Sequence, residues 1–129
     1  MPRVVHFEIH VDDPEKAIKF YTFVFGWKIK KWQGTQDYWT IDTSENGEQG
    51  INGGMRKREN PLSPGSTPHS GFICTVQVSS LQEYMSRVVP NGGQIVVPRI
   101  GIRGVGWFGY CRDTEGNLFG ILEPDALAE

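Results

Sequence analysis

An internal repeat constrains the fold of this chain more than any other feature of its sequence. When the numbering is shifted by 67 residues, the segment His6–Lys30 falls without a gap on Ile73–Val97, within the stretch Gly71–Val97. The same shift lays Gly53 on Gly120. Few side chains are identical, but apolar positions, helix starts and glycines coincide. The repeat predicts two copies of one module, and two such short modules need a shared core to be stable.

The first copy begins with a strand and a helix. In Val4–Val11, apolar residues alternate with polar ones, which predicts a strand with one apolar face. Asp13 followed by Pro14 is typical of a helix start, and Gly26 predicts the end of that helix. Three short strands are predicted after it, at Trp27–Gln33, Tyr38–Asp42 and Ile51–Met55.

The second copy follows the same order. The run Phe72–Val78 alternates as a strand, Ser80 with Glu83 forms a capping box, and Pro90–Gly93 stops the helix. Strands are then predicted at Gln94–Val97, Val105–Arg112 and Asn117–Glu123. In both copies we expect the apolar residues of the first strand to face the helix. These residues are Val5, Phe7, Ile9, Phe72, Cys74 and Val76.

Each copy therefore has the order strand–helix–strand–strand–strand. The expected fold class is α+β, with two repeated βαβββ modules whose curved mixed sheets enclose a cavity. We assign residues 1–56 to module one, 57–70 to a Pro-rich linker and 71–123 to module two, within a single domain of residues 1–129.

Composition excludes several classes of partner. The net charge of −2 supplies no global field for nucleic acid or for an anionic membrane, so neither is expected as a partner. No apolar run is long enough to span a membrane and no signal peptide is evident, so we expect a cytoplasmic protein. Cys74 and Cys111 are too few for a disulfide framework and are expected to be reduced.

Three motifs, in order, carry a family resemblance. The run HFEIHVDDPEKAIKFYTFVFGWKI resembles the opening of the vicinal oxygen chelate superfamily, which includes glyoxalase I, extradiol dioxygenases and the bleomycin- and fosfomycin-resistance proteins. The later GGQIV and GWFGYCRDTEGNLFGILE resemble its second module, with an Asp-x-x-Gly-Asn turn before the last strand. The resemblance implies paired modules around a cavity for a small organic molecule, usually within a homodimer.

The resemblance also implies up to four metal-ligand positions, two in each module. The first-strand position is His6 and its repeat mate is Ile73. The last-strand position is Gly120 and its mate is Gly53. A transition-metal site needs at least two or three protein donors, and only His6 supplies one. We therefore expect no metal and no cofactor.

His6, Glu8 and His10 share the polar face of the first strand. If this face lines the cavity, Glu8 or His6 could act as a general acid or base. The alternative is structural: Glu8 pairs with His10 or with an arginine such as Arg103 or Arg112, and His6 is a hydrogen-bonded sheet histidine. A third interpretation is a metal site made by these three residues, although three donors on one strand do not easily converge on one ion.

Aromatic residues concentrate in the predicted strands. They either belong to the core or form a stacking wall for a flat ligand. The glycine-punctuated segment from Arg99 to Gly106 is either a mobile cavity rim or a wide connection. The residues expected to bind the ligand, beside the catalytic candidates Glu8 and His6, are His10, Tyr38, Thr75, Gln77 and Trp107.

These patterns favour a glyoxalase-like protein that lacks the usual metal ligands and binds, sequesters or senses a small organic molecule. One alternative is a metal-independent lyase, isomerase or hydrolase that uses His6 or Glu8. A second alternative is a metal-dependent lyase or dioxygenase with unexpected ligands. A binder would release its ligand unchanged, whereas an enzyme would convert it, so the sequence leaves open whether the protein is an enzyme.

Overall fold

Residues 4–34, 37–45, 47–68 and 71–129 are described by the computed structural model. The chain divides into a first unit, Met1–Ser66, and a second unit, Thr67–Glu129, and each is described by itself. The first unit contains β1 (His6–Val11), α1 (Pro14–Phe25), β2 (Lys28–Lys31), β3 (Trp39–Asp42) and β4 (Asn52–Lys57). The second contains β5 (Thr75–Gln77), α2 (Leu81–Met85), a 3₁₀-helix (Val89–Asn91), β6 (Gln94–Ile102), β7 (Gly106–Arg112) and β8 (Leu118–Pro124).

Each unit holds one mixed four-stranded sheet. The strand order is β1-β4-β3-β2 in the first unit and β5-β8-β7-β6 in the second. In both, the first strand pairs in parallel with the last, and the remaining pairs are antiparallel. The predicted α+β class and its two βαβββ-like modules are confirmed. The cavity that the sheets were expected to enclose, and the single-domain assignment, stay predictions.

Helix α1 seals one face of the first sheet. The Asp13 side chain accepts a hydrogen bond from the Lys16 backbone N–H at 3.2 Å, which satisfies a donor that the helix itself leaves unpaired. Gly26 ends the helix in the left-handed conformation, at φ 77°. The helix buries Ala17, Phe20, Tyr21 and Val24. Ala17 packs in a core with Val11, Ile41 and Met55.

Helix α2 is much shorter than its counterpart. It begins as predicted, with the Ser80 hydroxyl accepting from the Glu83 N–H at 3.2 Å. It ends after five residues, whereas α1 has twelve. After Met85 the backbone hydrogen bonds tighten from the α-helical to the 3₁₀ pattern: Arg87 N–H donates to the Tyr84 carbonyl, and Val88 N–H donates to the Met85 carbonyl. The chain instead makes a 3₁₀-helix that closes at Gly92, at φ 95°.

The register of the repeat is a correction to the sequence prediction. Glu8 lies opposite Gly54, and Thr75 lies opposite Gly120. The first strands are therefore related by 67 residues, but the last strands are related by 66. The second unit has lost one residue at its shortened helix, so the repeat is not gap-free. Gly120 corresponds to Gly54, and not to Gly53 as predicted.

Several predicted strand bounds also change. The second module's first strand starts at Thr75, and Phe72 is 98% exposed, so Phe72 and the exposed Cys74 do not face the helix. Val5 is likewise 62% exposed, because it precedes β1. The segment from Arg99 is not a loop at its start, since β6 continues to Ile102 and pairs with β7.

The predicted linker is largely without regular structure. Lys57, the first residue of the predicted linker, belongs to β4. Residues 58–68 contain no helix or strand, which agrees with the prolines of this segment. His69 and Ser70 of this linker lie outside the described residues. None of the helices in the described part of the chain is both long enough and apolar enough to cross a membrane.

Candidate functional site

Strand β1 divides its side chains between two faces of the first sheet. Phe7 and Ile9 pack against the core beneath α1, and Val11 belongs to that core. The alternate residues His6, Glu8 and His10 are exposed on the opposite side, which we call the open face of the first unit. The predicted separation of polar and apolar residues along this strand is therefore observed.

His6 is held by a tyrosine from another strand region. Its Nε2 lies 2.9 Å from the Tyr38 hydroxyl, within hydrogen-bonding distance. Tyr38 reaches this position because Gly54 has no side chain: a Cβ there would overlap the Tyr38 hydroxyl oxygen. The glycine on β4 thus makes room for the phenol beside β1. The structure brings together two of the predicted site residues, His6 and Tyr38.

Glu8 pairs with His10 on the same strand. The distance between Glu8 Oε2 and His10 Nε2 is 2.6 Å. This geometry matches the structural alternative for Glu8, with His10 as the partner. Arg112 makes a different contact, donating from its guanidinium to the Gly116 carbonyl at 2.8 Å. His6 and Glu8 therefore belong to two separate hydrogen-bonded pairs.

A cavity of about 470 Å³ opens beside these pairs, and we call it the first-unit cavity. Its lining residues are Glu8, Asp37, Tyr38, Arg56 and Lys57. Burial raises the pKa of the Tyr38 phenol, the Glu8 carboxylate raises it further, and Arg56 opposes the shift. The cavity therefore combines a phenol, two carboxylates and two cations.

Three residues of this cavity were missed by sequence reasoning. Arg56 and Lys57 were missed because the last strand was predicted to end at Met55, whereas β4 continues to Lys57. Arg56 lies opposite His10 in the parallel pair, which places it on the open face. Asp37 forms an ion pair with Lys31 at 3.2 Å. Period-2 alternation continued beyond Met55 would have found Arg56.

The corresponding face of the second unit carries Thr75, opposite Gly120, and Gln77, opposite Leu122. Phe108 and Tyr110 lie on the same face and make an edge-to-face contact at 4.7 Å between ring centroids. A Cβ at Gly120 would overlap the Phe108 ring. This open face of the second unit is therefore mainly aromatic.

Trp107 lies on the other side of the second sheet. Neighbouring residues of a strand point to opposite faces, so Trp107 and Phe108 cannot share one. The Trp107 Nε1–H donates to Asp125 Oδ2 at 3.1 Å, and Trp107 lines a cavity together with helix residues such as Leu81. Trp107 therefore lies on the opposite face of the second sheet from Thr75 and Gln77, and its expected role in ligand binding stays a prediction.

The metal-ligand positions change with the corrected register. Gly53 packs on the core face, where a Cβ would overlap the Phe7 ring. The β4 residues on the same face as His6 are Asn52, Gly54 and Arg56. Within residues 4–34, 37–45, 47–68 and 71–129, no group of three or more His, Cys, Asp or Glu could hold a metal ion. The donor set on this face is therefore a poor fit to a transition-metal site.

Comparison with known proteins agrees with this architecture. The family described as bleomycin resistance protein-like N-terminal matches residues 3–43, a segment that holds β1 to β3. A search of the curated proteins finds no match. A glyoxalase-related enzyme from Fulvimarina pelagi is 22% identical with a TM-score of 0.70, and the match covers 95% of this chain and 88% of that one.

Two further solved structures show the same likeness. The fosfomycin resistance protein FosX from Listeria monocytogenes is 16% identical with a TM-score of 0.73, covering 97% of this chain and 94% of that one. TioX from Micromonospora sp. ML1 is 22% identical with a TM-score of 0.65, covering 96% and 100%. At these identities the likeness establishes the fold. The predicted resemblance is confirmed at the level of the fold: the chain has a glyoxalase-like fold.

Proposed function

We propose that this protein binds a small organic molecule in the first-unit cavity, without a transition metal, and sequesters or senses it. The observation that carries the proposal is the lining of that cavity. Tyr38, Arg56 and Lys57 offer donors, while Glu8 and Asp37 offer acceptors, within about 470 Å³. Ligand pockets for small molecules usually have a volume of roughly 300–1,000 Å³ and a few convergent polar groups.

The chemistry of the lining favours a polar ligand that carries an acidic group. Arg56 lies opposite His10 on the open face and places a cation at the cavity, while Lys57, the next residue of β4, lines the cavity edge. Arg56 can form paired hydrogen bonds with a carboxylate or a phosphonate. Tyr38, oriented by its contact with His6, can donate or accept at the ligand's other polar atoms. Thr75, Gln77 and His10 stay predicted ligand-binding residues.

A thermal-shift and calorimetric titration tests this proposal. The probes are small carboxylates and (1S,2S)-dihydroxypropylphosphonic acid, which is bound together with Mn(II) in a structure of a variant of FosX from L. monocytogenes. We expect Arg56→Met to weaken a bound probe by about tenfold or more, since it removes a charge-assisted contact. Lys28→Met, on the same sheet but outside the cavity lining, is the matched control. Equal losses in both variants would overturn the assignment.

A metal-independent enzyme is the second candidate, and the Glu8–His10 pair favours it. A carboxylate 2.6 Å from an imidazole is suited to general acid–base catalysis by either group, and Tyr38 beside His6 offers a second proton donor. The test is mass spectrometry of a probe recovered after incubation. Conversion that Glu8→Gln abolishes supports the enzyme, and recovery of unchanged probe supports the binder.

Glu8→Gln also separates a functional role for Glu8 from a structural one. If Glu8 contacts the ligand, this variant reduces affinity or turnover while the melting temperature changes little. If Glu8 only joins His10 in the sheet, Glu8→Ala lowers the melting temperature and binding by folded protein is unchanged. In that case the catalytic role passes to His6.

The metal-dependent alternative has a direct test. We expect no stoichiometric transition metal in protein purified by gel filtration from a metal-supplemented buffer, because Ile73, Gly54 and Gly120 provide no donor side chains beside His6. Elemental analysis is the measurement. About one Zn, Ni, Fe or Mn per chain would overturn the metal-free proposal.

We also propose that the protein works as a homodimer in the cytoplasm. The superfamily resemblance supports the dimer, and the two free thiols, Cys74 and Cys111, agree with a reducing compartment. Light scattering at micromolar concentration tests the first statement, and a monomeric mass would contradict it. Fractionation of cells that express the protein tests the second.

A further inference from the structure

The shortened helix α2 leaves part of the second sheet uncovered. Between this helix and the strands β6 to β8 lies a cavity of about 450 Å³, which we call the second-unit cavity. It is on the helix side of the sheet, opposite the open face that carries Thr75 and Gln77. The residues that matter here are Leu81, Met85, Pro98, Arg99, Trp107 and Glu123.

The second-unit cavity has apolar side chains on two opposite sides. Leu81 and Met85, one helical turn apart, form the helix side, and each is less than a tenth exposed. Pro98 and Trp107 form the sheet side. An apolar group placed there would pack against Leu81 and Met85 and would remove the exposed hydrocarbon of Pro98 and Trp107 from water, a main source of affinity in small-molecule sites.

Trp107 is fixed in one orientation. Its Nε1–H donates to Asp125 Oδ2 at 3.1 Å, while Asp125 Oδ1 accepts from the Leu127 backbone N–H at 2.9 Å. The edge of the indole ring packs close to Gly101, since a Cβ added to that glycine would lie 3.0 Å from the ring. The ring is therefore already ordered, so a ligand that packs against it loses little additional side-chain entropy.

Arg99 provides a positive charge at the same place. Its guanidinium carbon lies 4.1 Å from the centre of the Trp107 ring, a cation–π contact that holds the side chain while leaving its N–H donors available. The guanidinium makes no ion pair with any residue in the described part of the chain. Glu123, which lines the same cavity, is directed at the helix instead: its Oε1 accepts from the Leu81 backbone N–H at 2.8 Å.

We infer that the second-unit cavity is a second ligand site, which takes a planar aromatic carboxylate. The aromatic body lies between the Leu81–Met85 side of the helix and the Pro98–Trp107 side of the sheet. The carboxylate pairs with Arg99, whose forked donors match its two oxygens. This site is separate from the first-unit cavity, and its occupancy does not depend on the function proposed there.

The test is a titration of the ¹⁵N-labelled full chain with 2-naphthoate, followed through the indole N–H signals of the four tryptophans. The Trp107 signal is assigned from the variant Trp107→Phe. We expect that signal to shift saturably and the other three to stay in place. Arg99→Met keeps the aliphatic stem on the indole but removes the charge, and should weaken binding about tenfold or more.

Two controls make the result decisive. Arg103→Met removes a nearby exposed arginine that does not line the cavity and should leave affinity unchanged. The uncharged analogue 2-naphthamide should bind the native protein about as weakly as 2-naphthoate binds Arg99→Met. Unchanged affinity in Arg99→Met, equal losses in Arg99→Met and Arg103→Met, or an unmoved Trp107 signal would overturn the proposal. A Tyr38→Phe change should not alter the titration, which distinguishes this site from the first-unit cavity.

Discussion

The two units of this chain share one strand topology but differ in how their helices cover the sheet. In the first unit, α1 has twelve residues and buries Pro14, Ala17, Phe20, Tyr21 and Val24. In the second, α2 has five residues and buries Leu81 and Met85. The strand order and the parallel first–last pair are nevertheless the same. Sheet topology therefore tolerates a shortened helix, and what changes is the cavity that remains beside it.

The open faces of the two units differ in chemistry at corresponding positions. Glu8 lies opposite Gly54, and Thr75 lies opposite Gly120, so the glycine is common to both units. In the first unit a phenol that contacts a histidine occupies the space above the glycine, and in the second Phe108 does. Both units thus have a glycine at this position of the last strand. A polar aromatic ring packs over the glycine in the first unit, and an apolar ring packs over it in the second.

Truncating the helix core should give the largest difference between the units. Phe20→Ala removes a side chain that is 1% exposed and leaves a sealed void, so we expect a loss of about 3–5 kcal/mol in the free energy of unfolding. Leu81→Ala should cost only about 2 kcal/mol, because it enlarges a cavity that already reaches solvent. Urea denaturation followed by circular dichroism measures both. Equal losses would mean that α2 seals its sheet as tightly as α1 does.

Substitution of Gly54 in the first unit should give a smaller loss in the free energy of unfolding, and removal of the Tyr38 side chain should reverse most of it. Gly54→Ala drives a methyl group into Tyr38 and should cost about 1–3 kcal/mol, since the phenol must leave its place beside His6. In the background Tyr38→Ala the same change should cost much less, because the space is then empty. Gly71→Ala, where a Cβ meets nothing, is the control for altered backbone entropy. Additive losses in the double variant would contradict the contact.

The electrostatic difference between the two faces can be measured at Tyr38. Burial and the Glu8 carboxylate raise the phenol pKa, so Glu8→Gln should move that pKa down towards its ordinary value. Because the folded-state pKa is raised, the stabilisation from the protonated phenol is complete below the unfolded pKa of about 10 and is lost as pH rises through the folded pKa. Ultraviolet absorbance titration of the phenolate, with Tyr38→Phe to identify its contribution, is the measurement. An unchanged titration in Glu8→Gln would separate Glu8 from the phenol.

Labelling of the two cysteine thiols tests how far the second-unit cavity extends into the sheet. It is the smallest effect, because no change in stability is expected. Cys111 is fully buried, its Sγ lies 3.2 Å from Met85 Sδ, and burial raises its pKa to about 11. At pH 8 we expect a disulfide reagent to label the exposed Cys74 and to leave Cys111 unmodified in the folded protein. Rapid labelling of both would mean that the cavity opens past Met85 to the sheet.

Much of the fold could be predicted because its signals are local. The cap at Asp13, the glycine at the end of α1 and the Ser80 cap of α2 are all observed where the sequence placed them, although the Glu83 side chain pairs with Arg87 and does not complete a capping box. The alternation along β1 also predicted which side chains face the core. Such signals depend on hydrogen bonds and periodicities within a few residues, so no knowledge of distant parts of the chain is needed.

The candidate site was only partly predictable, because its contacts depend on pairing between strands. The sequence grouped Trp107 with Thr75 and Gln77, but β7 presents Trp107 to the helix side. It also ended the last strand of module one before Arg56, which lines the first-unit cavity. A shift of one residue moves every side chain of a strand to the other face, and composition alone does not fix that register.

By itself, the sequence determined the repeated βαβββ order, the helix starts and the absence of donor side chains at Ile73, Gly54 and Gly120. Only the tertiary structure decided that Gly120 corresponds to Gly54, that Tyr38 contacts His6 and that Glu8 pairs with His10. The physical reason is that caps and periodicity act along the chain. Cavities, by contrast, depend on how residues distant in sequence are brought into register, and here also on the early end of α2 at Met85.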